Sequence, residues 1–281
     1  MTTITILAGC LAACNADNVK QNASKADTTA GPVEGGSSPM KNWKLVWNEE
    51  FDGKNGSPVD TGKWTAEIGN NSGWGNSELQ YYTDSTANCV QQDGNLVIKA
   101  LKERKDNFDY TSARIKTQGK FEFQYGKVEM RAKLPKGQGI WPAFWMLGND
   151  IGSVRWPDCG EIDIMEHIGR QPDRIFGTLH GPQYSGSGGL QGSAAYKGDL
   201  YSQFHTYTVE WDESSIIWHF DGQEYHKIVK DKLPGNWRWP FDKKFFILVN
   251  LAVGGQWPQN PDDTTEFPQT YMIDYIRVYQ K

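Results

Sequence analysis

The chain has 281 residues, a formal net charge of −5, and twelve each of Trp, Tyr and Phe. The charge is mild and no basic stripe is present to meet phosphates, which excludes nucleic acid as a partner. Most of the aromatic residues belong in a core, but twelve tryptophans suggest that some face a ligand with flat apolar surfaces, such as sugar rings.

The chain opens with a short apolar stretch, residues 1–14, that is too short to span a bilayer and reads as the tail of a secretory signal. Both Leu7-Ala8-Gly9-Cys10 and Leu11-Ala12-Ala13-Cys14 resemble the bacterial lipobox. The expectation is export as a lipoprotein of the cell envelope, lipidated at Cys10 or Cys14; the alternative is a cleaved signal with no lipid. The basic start of a complete signal is missing, which is consistent with a start codon further upstream. Residues 15–41 are polar and small, the composition of a flexible tether. The remaining ~240 residues show no repeat and no Pro/Gly/Ser-rich divider, so 42–281 is expected to be one domain.

Within that body, strand patterns dominate: residues 96–100, 120–123, 126–134, 204–211 and 216–220, with Asp221-Gly222 marking a tight hairpin turn. Residues 245–253 form a long apolar run, expected to be a central strand, and 273–279 alternate. No long segment has a helical period. Many short strands separated by turn signals predict an all-β sandwich, and a large two-sheet sandwich can curve one sheet into a groove for a polymer. Cys89 and Cys159 are the cysteines of this body; an exported protein could pair them, and sequence alone does not show whether their Cβ atoms meet.

The chemistry concentrates at Gly160-Glu161-Ile162-Asp163-Ile164-Met165-Glu166. Alternation puts Glu161 and Asp163 on one face of a strand and the isoleucines in the core. Strict alternation would send Glu166 inward, where an unpaired carboxylate is costly. One extra residue restores it to the acidic face, so Met165 is read as part of a β-bulge. Two glutamates on one rigid surface are the equipment for breaking a glycosidic bond. In Ile140-Trp141-Pro142-Ala143-Phe144-Trp145-Met146, Trp141 and Trp145 share the face opposite Phe144 and Met146, spaced to stack on sugars. Trp156 lies in a loop entering the acidic strand. His180 is expected on a neighbouring strand, where it could donate to a sugar hydroxyl or tune a glutamate. Asn76, Glu78 and Trp257 sit in glycine-rich loops, where binding groups are commonly placed. No His pair stands at metal-ligand spacing apart from His219 and His226, which flank a hairpin turn, and neither a Ser-His-Asp order nor a phosphate loop is found.

These motifs, with Asn76-Ser77-Glu78-Leu79-Gln80-Tyr81-Tyr82-Thr83, Ser112-Ala113-Arg114-Ile115, Gly177-Thr178-Leu179-His180 and Asn250-Leu251-Ala252-Val253-Gly254-Gly255, resemble glycoside hydrolase family 16 over residues ~43–280, and within it the bacterial endo-β-1,3-glucanases called laminarinases. The resemblance implies a concanavalin-like jelly-roll sandwich of two antiparallel sheets with a concave substrate groove. It implies a retaining enzyme without a catalytic cofactor, acting on β-1,3-glucan. Glu161 would be the nucleophile, Glu166 the acid/base and Asp163 the carboxylate beside the nucleophile. Asn76, Arg114, Trp141, Trp145, Trp156, His180 and Trp257 would line the groove. The extra residue at Met165 separates the chain from the family's mixed-linkage lichenases, but not from its agarases or carrageenases. The resemblance favours a buried free thiol at Cys159. It also suggests a structural calcium ion at Glu50, the Gly94 carbonyl and Asp274, weighed evenly against a carboxylate cluster paired with Lys or Arg. A monomer is expected. The rival readings are a same-family hydrolase of mixed-linkage glucan, agar or carrageenan, and a non-catalytic β-glucan-binding protein on the same sandwich.

Overall fold

The computed structural model describes residues 42–281; the expected signal and lipobox segment (1–14) and the tether (15–41) lie outside the described residues. One sheet has the order β15 (Gln223–Val229), β14 (Ser215–Phe220), β13 (His205–Trp211), β8 (Gly126–Lys133), β17 (Gln269–Gln280), β5 (Asn95–Ala100), β4 (Cys89–Gln92), with β1 (Lys44–Glu49) also paired to β17. The other has the order β12 (Leu190–Ala195), β11 (Arg174–His180), β10 (Glu161–Glu166), β9 (Ile140–Gly148), β16 (Phe245–Val253), β7 (Arg114–Lys116), β2 (Thr65–Ala66). Every pairing within these two sheets is antiparallel. The short β3 (Gln80–Tyr82) and β6 (Tyr110–Ser112) form a separate parallel pair. Neighbours distant in sequence, such as β8 with β17 and β9 with β16, carry the chain back and forth between the layers, as in the expected jelly roll.

Side-chain alternation builds the core. In β8, Val128, Met130 and Ala132 are buried and point inward, while Lys127, Glu129, Arg131 and Lys133 take the other face. All nine residues of β16 are buried. Phe245, Ile247, Val249, Leu251 and Val253 enter the main core, whereas Phe246 and Leu248 join Leu147 and Cys159 in a small cluster on the opposite face, against Trp145. A strand covered on both faces calls for a near-continuous apolar run, which residues 245–253 supply apart from Asn250. The Asp221-Gly222 hairpin is confirmed, with both residues at positive φ (47° and 77°).

Residues 120–123 do not form the expected strand. Lys120 and Phe121 donate their amides to the Thr117 carbonyl in a turn, Phe121 stacks on Trp47, and Phe123 makes an isolated bridge to Phe245. The aromatic residues of this run serve packing, not a ladder. Cys89 and Cys159 are free thiols, buried in the main core and the small cluster respectively. Burial raises both to about 12, so neither is a nucleophile at neutral pH.

Candidate active site

The expected bulge is present in β10. Asp163 pairs with Trp145 of β9 and Met165 with Phe144, which leaves Ile164 as the extra residue; against β11 the register shifts between Asp163 and Glu166. Ile164 and Met165 both enter the core. Glu166 is thereby returned to the face of Glu161 and Asp163, opposite Ala143 on β9. The Asp163 carbonyl at the bulge accepts a 2.7 Å hydrogen bond from Trp218 Nε1 of the other sheet, so a residue from across the core pins the irregularity.

The three carboxylates have different partners. Trp156 Nε1 donates to Glu161 Oε2 at 3.0 Å. His180 Nε2 lies 3.7 Å from Glu161 Oε1 and 3.3 Å from Asp163 Oδ2, because His180 is the β11 residue directly opposite Glu161. Glu166 accepts from Trp141 Nε1 (3.2 Å) and Thr178 Oγ1 (3.3 Å). Burial, then the charge of Asp163, raises Glu161 to about 8, opposed by His180, Arg114 and the Trp156 donor. Burial also raises Asp163, while a hydrogen bond with Glu161 favours its charged form. Glu166 is raised well above the ordinary carboxyl range, by burial first and by Asp163 second. Three close acids cannot all ionise at neutral pH. Each glutamate accepts from an indole N–H, but the Arg114 cation favours the charge of Glu161 and not that of Glu166, so of the two glutamates Glu166 is the acid that keeps its proton.

The aromatic wall follows from the registers of β9, β16 and β7. Trp145 donates from Nε1 to Asn250 Oδ1 at 2.8 Å, and Asn250 pairs with both Ala143 and Arg114 across the ladders. The Arg114 guanidinium lies between two indoles, 4.3 Å from the Trp74 ring centre and 4.8 Å from that of Trp145. Arg114 Nε donates to Glu67 Oε2 at 2.5 Å and Lys116 Nζ to Glu67 Oε1 at 2.7 Å. Burial works against the Glu67 charge, but the two cations outweigh it and hold the carboxyl below its ordinary range. Trp141 meets Trp257 edge-on at 5.5 Å, and Trp257 meets Phe176 at 5.0 Å. Asn76 donates to Glu78 Oε1 at 3.1 Å and its carbonyl accepts from the Gln256 amide, joining the 71–79 and 254–257 loops.

The structure thus brings Glu161, Asp163, Glu166, Trp141, Trp145, Trp156 and His180 together around one sheet face, with Arg114 and Trp257 in contact with that aromatic wall and Asn76 tied to the Trp257 loop. Sequence reading missed Glu67, Trp74, Thr178 and Asn250. Strand register reveals Thr178 and Asn250, which stood inside recognised motifs, the available signal; Glu67 and Trp74 are revealed only by their side-chain contacts with Arg114.

Of the expected calcium set, Arg277 engages Glu50 through two hydrogen bonds (2.9 and 2.8 Å), and Asp274 pairs with Arg131. Both carboxylates are charge-matched by arginine, the alternative weighed against a cation at Glu50, Gly94 and Asp274. Among the described residues, one group of three acidic or imidazole side chains is close enough to hold a metal: Glu161, Asp163 and His180, the site itself.

Comparison with known proteins gives a consistent picture. The profile of glycosyl hydrolases family 16 matches residues 75–277. A beta-glucanase of Rhodothermus marinus is 42% identical over 253 residues, covering 87% of this chain and 87% of that protein. A glucan endo-1,3-beta-glucosidase A1 of Niallia circulans is 39% identical over 84% of this chain, which spans 38% of that longer protein. The laminarinase catalytic domain of Thermotoga maritima superposes with a TM-score of 0.81 at 51% identity, covering 85% of this chain and 98% of that domain.

Proposed function

The chain belongs to glycosyl hydrolase family 16, and on that footing we propose that residues 42–281 form a retaining endo-β-1,3-glucanase of the laminarinase type. The observation that carries the reading is the β10 bulge, which sets Glu166 on the same face as Glu161 and Asp163. In the proposed reaction Glu166, neutral in its buried position, protonates the glycosidic oxygen as the bond to the anomeric carbon breaks. Ionised Glu161 attacks that carbon and forms a glycosyl ester. Glu166, now a carboxylate, takes a proton from water, whose oxygen displaces Glu161 and retains the anomeric configuration. Asp163 shares a proton with Glu161, and His180 donates to whichever of the two carries the charge. Trp141, Trp145, Trp156 and Trp257 offer stacking surfaces for the glucan, and Arg114 and Asn76 offer donors. The β-1,3 linkage is supported by relatives named for that activity.

Calcium has no part in the proposal, since arginines hold both candidate carboxylates. On the N-terminal sequence alone we place the enzyme at the cell envelope as an exported lipoprotein; that it acts as a monomer is a separate part of the proposal.

The test is a substrate panel of laminarin, lichenan, agarose and carrageenan, with wild type beside Glu161→Ser. Laminarin should be cut fastest, the variant should lose nearly all activity, and NMR should show the β-anomer first. Faster cleavage of agarose or carrageenan, or an early α-anomer, would overturn the assignment.

A further inference from the structure

Glu78 is 7% exposed and lies behind the cleft wall. Each hydrogen-bond partner of its carboxylate is a donor: Asn76 Nδ2 (3.1 Å) to Oε1, and Gln80 Nε2 (2.7 Å) and Tyr82 OH (3.2 Å) to Oε2. The Gln80 orientation is fixed from its other end, where Oε1 accepts from the Val253 amide at 2.7 Å. A tyrosine hydroxyl has one proton. Because Glu78 takes it, the Tyr82 oxygen is left to accept, and it does so from Asn250 Nδ2 at 3.1 Å. That turns Asn250 Oδ1 toward Trp145 Nε1, which donates to it at 2.8 Å. Tyr82 (0%) and Asn250 (6%) are buried, so water does not substitute along the chain.

We infer that Glu78 is a positioning residue for glucan binding: by forcing the direction of the Glu78–Tyr82–Asn250–Trp145 hydrogen bonds it fixes the Trp145 indole, and it holds Asn76 directly. The inference rests on the glucanase reading above. A glutamine at 78 would keep its oxygen toward the two donors Gln80 Nε2 and Tyr82 OH and turn its NH2 on Asn76 Nδ2, a clash of two donors that releases Asn76. Removing the Tyr82 hydroxyl instead leaves Asn250 Nδ2 without its acceptor and loosens the amide that holds the Trp145 indole.

The test measures kcat and KM on laminarin for wild type, Glu78→Gln, Tyr82→Phe, Trp145→Phe and the Tyr82→Phe/Trp145→Phe pair. Loss of binding that is equal in ground and transition states raises KM and spares kcat. Glu78→Gln and Tyr82→Phe should each raise KM by about threefold to tenfold with kcat within about twofold. In the Trp145→Phe background, Tyr82→Phe should add less than about twofold, because its effect passes through the missing indole. Tyr82→Phe removes a single oxygen and carries the test should Glu78→Gln not fold. An unchanged KM, a loss confined to kcat or melting temperature, or KM effects that multiply in the double variant would overturn the inference while leaving the glucanase reading intact. A wild type that releases no reducing sugar from laminarin would overturn both.

Discussion

Replacing Glu161 with glutamine keeps the side-chain shape and the acceptor for Trp156 Nε1, while removing a proton equilibrium. In the folded protein Glu161 lies at about 8, against an ordinary 4.5, because it is buried beside Asp163. The native carboxyl therefore binds a proton that the unfolded chain has already released between these two values. Stability from this group is full below about pH 4 and is lost as pH rises toward 8. The gap sets a ceiling of about 5 kcal/mol at roughly 1.36 kcal/mol per pH unit. Proton sharing with Asp163 relieves part of it in the wild type, so a gain of about 2 kcal/mol is expected for the variant at pH 9 relative to pH 4. For a domain of this size that corresponds to about 4–8 °C in Tm. Scanning calorimetry of both proteins at pH 4, 6 and 9 reads it directly, and pH effects common to both cancel. A difference in Tm that stays constant with pH, or that moves in favour of the wild type as pH rises, would refute the electrostatic reading of the cluster.

Two further outcomes are expected. Trp156→Phe removes the 3.0 Å donor to Glu161; since that donor favours the charged carboxylate, the acid limb of kcat/KM should move to higher pH by about 0.5–1 unit, and an unmoved limb counts against Glu161 as the group titrating there. Trp218→Phe strips the buried partner from the Asp163 carbonyl at the bulge; a loss of about 2–3 kcal/mol and several degrees of Tm is expected, and a shift under about 1 °C would show that the bulge stands without this bond.

Period-two patterns carried the long strands. Residues 126–134, 204–211 and 245–253 correspond closely to β8, β13 and β16, because each buries a full face or both. The two- and three-residue strands β2, β3, β6 and β7 were illegible, since alternation needs four or more positions to be seen. The failure at 120–123 has another cause: Phe121 and Phe123 are apolar for packing against Trp47 and Trp211, and period alone does not separate that role from pairing. In the site, the bulge was legible because a carboxylate cannot be left unpaired in a core. Ile164 rather than Met165 lacks a partner on β9, a distinction of register that side-chain type does not encode. The arginine between two indoles and its Glu67 anchor join residues 47 positions apart, beyond any local signal.

The reacting groups sit on β10, with two strands beyond it on one side and four on the other. Edges of a sheet open first and interior strands last, so amide exchange there requires the domain to come apart as a whole. Warming such a catalyst does not gradually loosen its chemistry; turnover should climb until the cooperative transition and then vanish with it.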